Sequence, residues 1–239
     1  MANINPQKEF EKLLKTIEEK QINGDLDMLK LAYDFAFEAH KGQLRASGDP
    51  YIIHPLATAQ KLAEMNLDLT TIIAGLLHDV PEDTEVSLEE IEKNFGPEVA
   101  KLVEGITKLG KLKYRGMERY AENLRKMFVS MSEDIRVILI KFADRLHNLK
   151  TLNALPPDKQ LRIAKETLEI YAPIADRLAI GQIKAELEDL AFKYVHPEDY
   201  NWITRLIPQE NKTKKKYLEE VVSKVKKNLE ENKIQISEI

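Results

Sequence analysis

The spacing of its apolar residues constrains this chain more than any other feature. Phe10, Leu13, Leu14 and Ile17 follow the i, i+3, i+4, i+7 pattern of one helix face, and Leu29, Ala32, Tyr33, Ala36 and His40 repeat it. Only the last residues, KIQISEI, alternate in the strand period, at Ile234 and Ile236. Nine glycines and ten prolines in 239 residues are too few for a many-turned β-sandwich. An all-α fold is expected.

Composition then removes several functions. A net charge of -4 argues against broad nucleic-acid coating, so no DNA partner is expected. Cysteine is absent, which excludes a disulfide framework, a thiolate metal site and a cysteine nucleophile. No apolar run approaches the roughly 20 residues of a membrane span. The N-terminus, MANINPQKEFEKLL, lacks the apolar core of a secretory signal, leaving a cytoplasmic location and no membrane partner as the expectation.

Local signals place the elements. Residues 41–53, KGQLRASGDPYII, interrupt the helical period, and Pro55 restarts it, putting His54 at a helix entrance. TTIIAGLLHD at 70–79 reads as a helix through the core. Ser87 and Glu90 form a capping box for a helix over 87–95, closed by Gly96, and Pro97 opens the next. A polar connection is expected over 107–117. Further helices are expected over 118–130, 133–151, 157–169, 181–195 and 197–207. Composition shifts after Pro208, where Leu218, Val221, Val222, Val225 and Leu229 trace one more helix. A domain over 1–195 and a helical linker over 196–239 are expected. The terminal Ile234–Ile236 segment is read as a truncated strand, the stub of a further domain.

The sharpest chemical signal is HDVPED at 78–83. An unpaired aspartate at the end of an apolar helix costs several kcal/mol to bury, and a metal ion shared by His78 and Asp79 would remove that cost. A satisfied histidine at a helix end, with Asp79 capping the next turn, fits the motif alone equally well. Asp144 shifts the balance. It interrupts a helix whose core side is marked by Ile135, Ile138, Leu139, Phe142, Leu146 and Leu149. With His147, Asn148 and Thr151 it forms a polar stripe at i, i+3, i+4 and i+7, without the lysines and glutamates of a washed surface. His54, His78, Asp79 and Asp144 then make a mixed imidazole and carboxylate set suited to Mn²⁺, Fe²⁺ or Zn²⁺. Such an ion lowers the pKa of bound water. Glu82 and Asp83, one turn on, stand where protons could be handled, or are simply an acidic helix start.

Several segments carry a family resemblance: AHKGQLRASGDPYIIHP at 39–55, AGLLHDVPEDT at 74–84, FGPEVAKLVEGITKL at 95–109, AENLRKM at 121–127, IRVILIKFADRLHNLKTL at 135–152 and ETLEIYAPIADRLAI at 166–180. The chain resembles the hydrolase domain of the RelA/SpoT homologue family, a branch of the HD phosphohydrolase superfamily. The resemblance implies an HD-type helical domain that hydrolyses the 3′-pyrophosphate of ppGpp or pppGpp with Mn²⁺. It implies metal ligation by His54, His78, Asp79 and Asp144, and water activation by Glu82 and Asp83. It implies stacking of Arg45 on guanine with Ser47 on the same loop, and nucleoside contacts by Asn148 and Thr151. Arg145 fits a phosphate contact or a structural ion pair. Pro81 and Ala46 depart from the family pattern. A synthetase domain is expected to be missing from this chain and would be a candidate regulator. The alternatives are a catalytically silent regulatory domain and an HD phosphohydrolase for another nucleotide.

Overall fold

The computed structural model describes residues 4–110 and 133–232. Among these residues the chain is helical, and one isolated bridge, Leu44 to Pro50, is its strand-like contact. Two compact units are formed, Met1–Ala191 and Phe192–Ile239. No helix of the described residues is long and apolar enough to cross a membrane.

The first unit opens with α1 (Pro6–Glu19) and α2 (Leu26–Ala39). Each starts where an acceptor side chain meets orphan backbone N–H groups: Asn5 accepts from Gln7 N, and Asp25 from Asp27 N and Met28 N. The two helices meet where Phe10 stacks on Tyr33, ring centroids 4.3 Å apart. After the loop at 40–52 come α3 (Ile53–Glu64), α4 (Leu69–Leu77) and α5 (Val80–Asp83). Helix α3 packs on α1 and α4, and α4 packs on α2. At Gly75 a Cβ would lie 2.5 Å from Leu62 Cδ1, so the absence of a side chain lets α4 approach α3 this closely.

Helix α6 (Leu88–Gly110) carries the predicted punctuation. Ser87 and Glu90 exchange the capping-box bonds, and Gly96 adopts φ +86°, a left-handed value that breaks the helix before Pro97. The polar connection expected over 107–117 starts later than that. Thr107 and Leu109 are buried, the Thr107 hydroxyl donates back to Val103 O, and the helix continues through them. The rest of that connection and the helix expected over 118–130 lie outside the described residues.

Helix α7 (Arg136–Lys150) packs on α3 and α6. Its core side includes Ile138, Phe142, Leu146 and Leu149 as expected, together with Val137, Ile140 and Ala143. Ile135, expected in the core, is exposed, because it precedes the first helical turn and lies ahead of the packed surface. A 3₁₀ turn (Leu152–Ala154), α8 (Pro157–Glu166), a π-helical turn (Thr167–Tyr171), α9 (Ala172–Arg177) and α10 (Gly181–Val195) follow.

In the second unit α11 runs over Pro197–Glu231. The break expected at Pro208 is not observed. An interior proline removes one backbone hydrogen bond, and the helix continues past it. The strand pattern at Ile234 and Ile236 lies outside the described residues.

Candidate metal centre and nucleotide cavity

Three packed helices place the candidate ligands. His54 sits in the first turn of α3, His78 caps the C-terminus of α4, and Asp144 lies mid-way along α7. All three are buried, at 1%, 1% and 4% exposure. Each offers one ligand atom, and those atoms lie within 4.8 Å of one another, a set that could hold a metal ion. Asp79 joins them: its Oδ1 is 3.0 Å from His78 Nε2, and its Oδ2 is 3.3 Å from His54 Nε2. His54 Nε2 is also 3.2 Å from Asp144 Oδ1.

Electrostatics show how unusual this arrangement is. Burial opposes charge on His78, yet Asp79 and Asp144 lift its pKa to about 9. Burial likewise pushes the Asp79 carboxyl up, but the His78 charge and a hydrogen bond from His54 hold it well below the usual range. Asp144 behaves alike, with Lys141 Nζ 2.7 Å from its Oδ2. His78 Nδ1 is tied to Gly75 O at 2.8 Å, while Nε2 is buried without a hydrogen-bond partner. Two imidazoles and two carboxylates brought together at this spacing are a donor set suited to a divalent cation.

Beside the cluster, α5 presents Glu82 and Asp83. Pro81 lies in the first turn of α5, where its missing N–H has no helical partner to lose. The proline therefore starts a helix instead of bending one, separating α5 from α4 at the His78-Asp79 pair. Partial burial, with Asp79 and Asp83 close by, raises the Glu82 pKa against the pull of Lys141. Asp83 accepts a short hydrogen bond from the Tyr51 hydroxyl, which also reaches Asp79 Oδ2 at 2.9 Å. A phenol has one proton, so Tyr51 can donate to only one of the two carboxylates at a time. Gln43 donates to Asp83 O at 2.8 Å.

The 40–52 loop closes over one side. Gly42 and Gly48 take positive φ, and Arg45 N donates to Asp49 O while Gly48 N donates to Arg45 O. The turn presents Arg45, whose Nη2 donates to Asn148 Oδ1 at 2.7 Å and approaches Thr151 Oγ1 at 3.5 Å. Ser47 instead bonds its loop neighbour Asp49, at 2.7 Å. Between this loop and α7 lies a cavity of about 390 Å³, bordered by Arg45, Ser47, Tyr51, Asp144, Asn148 and Thr151. That volume is in the usual range for a small-molecule site. Lys141 and Arg145 also border it. Arg145 pairs with Glu166 at 3.2 Å and lies over Tyr171 at 4.1 Å, the ion-pair alternative of the two readings.

The sequence reasoning missed Tyr51 and Lys141 as site members, and gave His147 no role beyond the polar stripe. Lys141 carries a signal in hindsight: a lysine among apolar residues, three before an aspartate, on a buried helix.

Comparison with known proteins decides the family. The HD domain family matches residues 32–181, most of the chain and all of the groups above. This chain belongs to the HD domain family. Its HD domain is similar to curated proteins of several bacteria. The guanosine-3′,5′-bis(diphosphate) 3′-pyrophosphohydrolase of Aquifex aeolicus (strain VF5) is 48% identical over 231 residues, covering 96% of this chain and 32% of that protein. The bifunctional (p)ppGpp synthase/hydrolase SpoT of Escherichia coli (strain K12) is 48% identical over 223 residues, 93% of this chain and 32% of SpoT. A GTP pyrophosphokinase of Myxococcus xanthus is 46% identical over 220 residues, 90% and 29% respectively. The chain thus spans about a third of the length of these relatives. Among solved structures, a metazoan orthologue of SpoT that hydrolyses ppGpp superposes with a TM-score of 0.55 at 25% identity, over 72% of this chain and 96% of that one.

Proposed function

We propose that this HD domain removes the 3′-pyrophosphate of ppGpp and pppGpp by hydrolysis, giving GDP or GTP and pyrophosphate. The observation that carries the reading is the buried imidazole and carboxylate cluster, whose Asp144 borders the cavity that Arg45, Asn148 and Thr151 also border. The named activities of the Aquifex, Escherichia and metazoan relatives support the same substrate class.

His54, His78, Asp79 and Asp144 would hold one divalent cation, taken here as Mn²⁺. When bound, that ion supplies Lewis acidity toward phosphate oxygens and makes water more acidic. The chain's own groups do the rest. Glu82, whose pKa is raised by partial burial, is suited to take a proton from the attacking water. Asp83, held through Tyr51 and Gln43, orients that water. Lys141 balances Asp144 and adds positive charge to the wall that would face the diphosphate. Arg45 offers its guanidinium plane to the guanine base, with Ser47 on the same loop. Asn148 and Thr151 contact the nucleoside.

The substrate class is tested by incubating the protein and Mn²⁺ with ppGpp, pppGpp, dGTP and GMP. Consumption of the first two alone is expected. Comparable turnover of dGTP or GMP would transfer the reading to a different nucleotide.

A further inference from the structure

The two buried imidazoles of the cluster are tied down differently. For His78 the second ring nitrogen is held by a backbone carbonyl, Gly75 O at 2.8 Å. A carbonyl can only accept, so Nδ1 carries a proton and Nε2 is the nitrogen turned toward the Asp79 carboxylate. His54 has no such carbonyl. Its Nδ1 lies 2.7 Å from Nδ1 of His147, the rings tilted by 39° with centroids 4.9 Å apart. Two nitrogens at that distance share one hydrogen, so one ring donates and the other accepts.

The direction follows from what surrounds each ring. His54 is 1% exposed, and its Nε2 already faces Asp79 and Asp144. His147 is less enclosed. It borders a separate cavity of about 150 Å³ together with Gln60, Lys61, Glu64 and Lys150, on residues outside the nucleotide cavity. That space is large enough for water, so His147 can place its own proton on Nε2 and satisfy it there. With a cation in the cluster, His54 Nε2 is the ligand atom between Asp79 and Asp144, which leaves Nδ1 as the place for the ring proton. Its proton belongs on Nδ1.

We propose that His147 is a positioning residue: it accepts from His54 Nδ1–H and thereby fixes the ring and tautomer that leave His54 Nε2 free for a divalent cation. The inference rests on the cation reading given under Proposed function. It assigns His147 the place that a carboxylate or carbonyl fills behind most ligating histidines. It also explains why a histidine stands three residues after Asp144 on α7: that spacing puts Asp144 in front of the His54 ring and His147 behind it.

The test measures cation affinity instead of turnover. Mn²⁺ and Zn²⁺ are titrated calorimetrically into wild type, His147→Leu and His147→Asn, with the fold of each checked by circular dichroism. Loss of an outer partner of this kind lowers affinity by roughly 10–100-fold, and that loss is expected for His147→Leu. Asn can place an acceptor oxygen near the lost Nδ1, so His147→Asn should recover most of it. Wild-type affinity in folded His147→Leu overturns the proposal, as does equal loss in both variants, which would mean packing alone. A wild-type protein that binds neither ion defeats the cation reading itself and this inference with it. If His147→Leu does not fold, ¹⁵N spectra of Zn²⁺-loaded wild type decide. The proposal requires His54 as the Nδ1–H tautomer with coupling to His147 Nδ1, and an Nε2–H tautomer contradicts it.

Discussion

The imidazole and carboxylate cluster and the 40–52 loop lie side by side but are held in different ways. His54, His78 and Asp144 come from α3, α4 and α7, whose mutual packing is the centre of the first unit. The loop at 40–52 is held by backbone bonds, including Tyr51 N to Gln43 O at 3.0 Å, and by side-chain bonds of Gln43, Arg45 and Tyr51. Leu44 beside Arg45 is 67% exposed. Helix packing therefore sets the geometry of the cluster, whereas the loop can vary with little cost to the core. Retention of a cation and recognition of a nucleotide should be separable by mutation.

The largest break in that comparison is Asp144→Ala. It removes a candidate ligand and strands the Lys141 ammonium, a buried partner loss that typically costs about 3–5 kcal/mol. Cation retention and turnover should both vanish, and the unfolding midpoint should fall steeply in denaturant titration. Glu82→Gln keeps the cluster and removes the proton acceptor. Bound Mn²⁺ should stay stoichiometric by elemental analysis while kcat drops roughly 10²–10⁴-fold. Unchanged kcat would pass the role to Asp83.

Arg45→Ala sharpens the contrast from the loop side. A cation–π contact is worth about 0.5–2 kcal/mol, so KM should rise by roughly 2- to 30-fold. Cation affinity should stay at the wild-type value, and a parallel fall in it would show that loop and cluster are coupled. Ser87→Ala is the smallest effect. Loss of the cap costs about 1 kcal/mol, a Tm decrease of roughly 2–4 °C for a chain of this size. Neither KM nor cation affinity should move.

What the sequence revealed follows the range of the interactions. Ser87, Glu90 and Gly96 were legible because a capping box and a left-handed glycine depend on residues a few positions apart. The polar stripe of α7 was legible because burial on one helix face is periodic. Helix ends were less so: α6 continues past Thr107 because its buried face continues, which polar composition concealed. The partners within the site were hidden for another reason. Tyr51 meets Asp83, and His54 meets His147 across 93 positions, only once four elements have packed together. No local pattern marks a phenol that will end between two carboxylates.

The central claim is that the buried cluster makes this HD domain a cation-dependent pyrophosphohydrolase. Its most direct test separates products by anion exchange after incubating the protein with ppGpp. Three samples suffice: Mn²⁺ present, excess chelator present, and chelator followed by Mn²⁺ in surplus. GDP and pyrophosphate in equal amounts are predicted in the first and third samples and absent from the second. Release of orthophosphate in place of pyrophosphate, turnover that survives the chelator, or no turnover by folded, Mn²⁺-loaded protein would contradict the account.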